Sequence, residues 1–169
     1  MRNALVMAGI GLVASVALAA CGPPPLKEYT YPAWGFAASF RAAPTETDTP
    51  AAADGSQLHM FQAEYNKDGR DFIASATDES TSKQTDDQIL AAAPVTIAQN
   101  AGATVGAMSN VSAGGVVGRQ FQIVHAGQSS ARVRVFVADR RLYQVVAAST
   151  TANDPEVKAF LDSFRIIGK

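Results

Sequence analysis

Three runs near the C-terminus constrain the fold most. Arg119–His125, Arg132–Ala138 and Leu142–Ser149 are rich in β-branched and aromatic side chains, and only Asp139-Arg140-Arg141 separates the last two. So short a connection allows antiparallel pairing and leaves no room for a parallel crossover. Two further strands are expected upstream, Leu58–Tyr65 and Asp71–Thr77, joined through Asn66-Lys67-Asp68-Gly69, where glycine suits a turn with positive φ. Tyr29-Thr30-Tyr31 and Trp34–Phe40 read as one first strand kinked at Pro32, and Ala42–Ser56 reads as a surface loop. Gly114-Gly115 and Gly118 bracket a further turn.

Two helices interrupt the strands. Thr85-Asp86-Asp87-Gln88 is a capping box, with two acids at the positive end of the helix dipole. Ile89, Ala93 and Ile97 then repeat on one face, Pro94 is expected to kink or split the helix, and Asn100-Ala101-Gly102 is its stop. Asp154-Pro155-Glu156 supplies an N-cap, a proline at the first helical position and an acidic first turn. Val157, Phe160, Leu161 and Phe164 mark that helix's buried face, and Phe164-Arg165-Ile166-Ile167 is expected to end as a short strand. An antiparallel sheet packed with two main helices is an α+β fold.

The first twenty residues read differently. Arg2 and the amino terminus are followed by the uncharged run Ala4–Ala17, as in a signal peptide. Leu18-Ala19-Ala20-Cys21 resembles the lipobox of bacterial lipoproteins, which implies cleavage before Cys21 and lipid on its thiol. Gly22, where an aspartate would signal retention, resembles the pattern of lipoproteins sent to the outer membrane, facing the periplasm, if the host has two membranes. Pro23-Pro24-Pro25 cannot continue a helix and gives a stiff spacer. The expected organisation is a leader over residues 1–20, a lipidated cysteine and tether over 21–28, and one domain over 29–169.

The opening YTYPAWGFAASFRAAP, the middle GRQFQIV and the ending RVRVFVADRRLYQVVAAS with FLDSFRI are similar to small envelope proteins of the PsbP-like superfamily. The resemblance spans nearly all of Tyr29–Lys169 but rests on core and turn positions. It departs at Arg41, where such proteins often carry proline after the aromatic, and at Pro94. It implies a layered antiparallel sandwich and a non-enzymatic binding or assembly role, with no shared catalytic residues to transfer.

Composition narrows the chemistry. The chain is 47% apolar and 17% charged, which suits a globular domain over a disordered one. Thirteen basic against fifteen acidic side chains remain after residue 20, so nothing favours nucleic acid as a partner. One cysteine excludes an internal disulfide and a cysteine-rich zinc site. His59 and His125 are the only histidines, both in expected strands, and no spacing makes them metal ligands. No G-x-S-x-G occurs. Gly114–Gly118 lacks the lysine of a phosphate loop, Asn110-Val111-Ser112 is a sequon a bacterial lipoprotein would rarely use, and Asp86 and Asp87 suffice as capping acids. No catalytic residue, metal site or cofactor is expected.

The expected function is therefore a membrane-anchored envelope lipoprotein whose monomeric domain binds an envelope protein or an anionic ligand. Residues 22–100 hold five basic and eleven acidic side chains, residues 101–169 eight and four. Arg132, Arg134 and Phe136 share one strand face; Arg119, Phe121, Ile123 and His125 share another. If Arg132 pairs opposite His125 the two faces coincide, and Arg119, Arg132 and Arg134 form a basic patch. The alternative is a small-ligand carrier with a pocket between sheet and helices lined by Trp34, Phe121 and Tyr143.

Overall fold

The computed structural model describes residues 25–126, 128–151 and 153–168. The leader, Cys21 and the start of the tether lie outside the described residues. The elements run β1 (Lys27–Tyr31), β2 (Phe36–Phe40), β3 (Thr45–Thr49), β4 (Met60–Lys67), β5 (Arg70–Asp78), α1 (Asp86–Asn100), β6 (Thr104–Ala113), β7 (Val116–His125), β8 (Gln128–Ala138), β9 (Arg141–Ser149), α2 (Pro155–Ser163) and β10 (Arg165–Ile166). They form two antiparallel sheets, a seven-stranded one ordered β3-β4-β5-β9-β8-β7-β6 and a three-stranded one ordered β1-β2-β10.

Strand alternation decides the layering. On one face of the large sheet Phe61, Tyr65, Phe72, Phe136, Tyr143 and Val145 meet α2 and the small sheet. On the other, Phe121, Ile123, Val133 and Val135 meet Ala93 of α1. The result is three layers: α1, the large sheet, and α2 lying beside the small sheet. The core between the last two layers is aromatic. Phe160 is fully buried and stacks on Phe72 at 4.8 Å and against Phe40 at 5.2 Å, and Phe164 stacks on Phe136 at 5.6 Å.

The turns follow local chemistry. Asp68-Gly69, Gly114-Gly115 and Asp139-Arg140 are two-residue hairpin turns with both residues at positive φ. Arg140 is the costly member, since its side chain disfavours φ +58°. Its guanidinium compensates by donating to the carbonyls of Glu79, Ser82 and Gln84 at 2.8 Å each, and to Asp86 at 2.9 Å, so one turn also closes the β5–α1 loop. Thr85 caps α1 with the full capping box, and Ala103 N donates to Ala98 O where Gly102 turns the chain out of the helix at φ +64°.

Several expectations are corrected. Pro32 does not kink one strand; it starts the turn Pro32–Gly35 that makes β1 and β2 a hairpin, with Gly35 N donating to Tyr31 O at 2.9 Å. Lys27 and Glu28, assigned to the tether, already belong to β1. The loop Ala42–Ser56 contains β3, an edge strand with no buried residue, which apolar patterning cannot register. The strand β6 was missed for the same reason, being mostly exposed at the other edge. Gly118 does not border a turn but lies within β7, where a Cβ would come within 2.2 Å of Val135 O and 2.4 Å of Phe136. His59 lies just before β4, not in a strand. Pro94 does not split α1: with Ile89, Ala93 and Ala98 it is buried, and that packing offsets the lost helical hydrogen bond. Phe160→Ala should cost about 3–5 kcal/mol in urea unfolding, because two ring contacts and the cavity between α2 and the sheet are lost together.

Candidate interaction surface

Helix α2 owes its position to charge as well as to its aromatic face. Asp154 and Glu156, in its first turn, are almost wholly buried. Asp154 accepts from Glu156 N at 3.0 Å as the N-cap and from Ser149 Oγ at 2.8 Å. Arg70 Nε lies 2.8 Å from Asp154 Oδ2 and 3.4 Å from Glu156 Oε2, and Arg41 pairs with Glu156, its Nε donating to Oε2 at 3.1 Å. Arg41 thus has a structural role where the resemblance departs from its pattern. At the other end of the helix Arg134 donates to Leu161 O at 2.8 Å, to Asp162 Oδ1 at 2.7 Å and to Gln120 Oε1 at 2.8 Å. It satisfies a C-terminal carbonyl of α2 and ties the helix to β8.

Pinned in this way, α2 covers β9 but stops short of β7. Between them lies an open groove of about 560 Å³. Its floor is Ala147, Arg132 and Gln122, three residues in register across β9, β8 and β7. Its wall is Pro155, Val157 and Lys158 of α2. The small Ala147 side chain keeps the floor low. Arg132 is exposed and has no salt-bridge partner among the described residues. Lys158 is exposed and pairs with Asp162, one helical turn on. Burial alone would raise the Asp162 carboxyl, but hydrogen bonds from Lys158 and Arg134 outweigh it and hold the group below the usual carboxylate range.

The three arginines of the expected patch are not brought together. Arg132 pairs opposite Gln122, not His125, because β8 starts four residues earlier, at Gln128, and its pairing with β7 shifts between Ile123 and Val124. That register puts Arg132 and Arg134 on the α2 face and sends Arg119 to the α1 face, where it donates to Asn110 Oδ1. Arg134 is engaged by α2. Arg132 alone faces the groove, and its neighbour Lys158 carried no signal in the sequence beyond an exposed helical lysine. The pocket lining expected for a carrier is not assembled: Phe121 and Tyr143 are buried on opposite faces of the sheet, and Trp34 packs on Phe61 at 5.8 Å near the surface, so the three line no common pocket. His59 approaches Asp48 at 2.6 Å in an exposed pair. Among the described residues no three of His, Cys, Asp and Glu gather as metal ligands, and no helix is long and apolar enough to cross a membrane.

No family model matches the chain, and no curated protein matches its sequence. Among solved structures, the solution structure of cyanobacterial PsbP from Synechocystis sp. PCC 6803 superposes with a TM-score of 0.52 at 12% identity, covering 93% of this chain and 98% of that one. The fold is PsbP-like. At that identity the likeness speaks for the α+β sandwich and its two helices, while the groove and its residues belong to this chain's own description.

Arg134→Ala should cost about 2–3 kcal/mol, because it removes charged hydrogen bonds at the end of α2, whereas Arg132→Ala should stay within about 0.5 kcal/mol. Asp162 has a lowered folded pKa, so its contribution is complete above the ordinary carboxylate pKa and is lost as pH falls through the folded one. Urea midpoints measured from neutral to acid pH should therefore fall less steeply in Asp162→Asn than in the wild type.

Proposed function

We propose that this protein is a bacterial lipoprotein, cut before Cys21 and held at the envelope membrane by lipid on that thiol, whose PsbP-like domain is a non-catalytic adaptor or assembly factor. In a host with two membranes it would sit on the outer one, facing the periplasm. The observation that carries the reading is the filled core. Phe36, Phe40, Phe72, Phe136 and Phe160 each expose 1% or less of their surface between the layers, which leaves recognition to the outside of the domain. The groove beside α2, with Arg132 exposed on its floor and Lys158 on its wall, is the surface best suited to it. Basic side chains there favour an acidic partner, and they act on encounter rate and specificity more than on folding.

Cys21→Ser should abolish incorporation of labelled palmitate and move the protein from the detergent to the aqueous phase, since stable anchoring needs more than one acyl chain. An unmodified Cys21 in the mature wild-type protein would end the lipoprotein reading. Arg132→Glu with Lys158→Glu should stay folded, losing only the small contribution of the exposed Lys158–Asp162 pair, yet recover less of whatever acidic envelope component co-purifies, the difference growing at low salt. Equal recovery at low salt would remove the groove from the function.

A further inference from the structure

We propose that the groove beside α2 docks on the phosphate headgroups of an anionic phospholipid membrane, the same membrane that holds the lipid on Cys21. The inference rests on the lipoprotein reading and adds to it a face and a ligand. The first support is where the tether enters. Lys27 pairs opposite Phe40, the Phe40 ring packs on Phe160, and the next residue, Arg41, pairs with Glu156 in the first turn of α2. The chain therefore joins the domain on one flank of that turn, and the groove opens on the other flank, against Pro155, Val157 and Lys158. Five residues separate Cys21 from Lys27, a span of roughly 20 Å even when fully extended. An anchored domain cannot carry this end far from its membrane.

Charge gives the second support. At the tether end the acids Asp154 and Glu156 are buried and paired with Arg70 and Arg41, and Glu28 pairs with Arg165. Lys27, Lys67, Arg132 and Lys158 are exposed there, with Asp68 the exposed acid of the β4–β5 turn. The far end carries exposed Asp48, Asp54, Asp87 and Asp139, with Asp48 paired to His59 and Lys83 the exposed cation there. An anionic surface attracts the first end and repels the second, so the field that binds the domain also orients it. The third support is shape. Small side chains, Ala147 and Ser130, lie beside Arg132 and leave a recess that is open to solvent, mixed in its lining and not an enclosed apolar cavity. A phosphate matches the planar donors of Arg132 better than an apolar ligand would.

The test uses the full lipidated chain in protein-free vesicles, which separates a lipid ligand from an acidic protein. One chain carries Thr151→Cys, at the groove, and a second carries Ala53→Cys, at the far end; each is labelled with an environment-sensitive fluorophore, the acylated Cys21 being unreactive. Vesicles are phosphatidylcholine alone or with phosphatidylglycerol as a third of the lipid. The expected result is a brighter, blue-shifted probe at position 151 only when phosphatidylglycerol is present. Molar salt should reverse it, and position 53 should not respond. Arg132→Glu with Lys158→Glu should weaken docking roughly tenfold or more while flotation with the vesicles is kept. A floating protein whose position 151 ignores phosphatidylglycerol, or whose response survives the double charge reversal, overturns the docking face and leaves the anchor intact. A protein that floats with neither vesicle overturns the anchor, and the docking face with it.

Discussion

Everything in this domain depends on the two central strands, β8 and β9, together supplying buried apolar side chains to both faces of the sheet. Val133 and Val135 point one way, and Phe136, Tyr143 and Val145 the other, all of them 2% exposed or less. An antiparallel sheet usually leaves one face to water, and this one cannot. One layer of cover comes from α1. The other comes from α2 and the small sheet together, because a nine-residue helix is too narrow to cover the aromatic face alone. The register that brings Gly118 beneath Phe136 belongs to the same constraint, since no larger side chain fits between β7 and that ring.

The second layer is where fold and function meet. Four ionised groups, Arg41, Arg70, Asp154 and Glu156, lie against the first turn of α2 at little exposure. Buried pairs of this kind add little net stability over apolar replacements, but removing one partner leaves an uncompensated charge. They act here as a locator. With Arg134 holding the opposite end, α2 has one place to lie, and the groove is what remains of the sheet beside it.

Much of the architecture was legible because the signals were local. The capping box at Thr85 and the Asp154-Pro155 start are read within four residues, and the hairpin turns declare themselves through Gly, Asp and chain length. The edge strands β3 and β6 were illegible for a physical reason: they bury little, so hydrophobic periodicity has nothing to mark. The Pro32 turn was misread because proline suits both a kink and the start of a turn, and only Gly35 at φ +74° decides between them.

The candidate site divides along the same line. The sequence by itself determined that an apolar α+β sandwich would form, that a lipobox-like segment precedes it, and that basic residues concentrate in the C-terminal part of the chain. Which of those basic residues share a surface was decided only by the tertiary structure. A shift of one residue in β-sheet register moves a side chain to the opposite face, and the early start of β8 and the irregularity at Ile123/Val124 turned Arg119 away from Arg132 and Arg134. Docking of α2 then engaged Arg134 and brought Lys158 toward Arg132. Such placement depends on packing between elements far apart in the chain, where no local pattern of residues reaches.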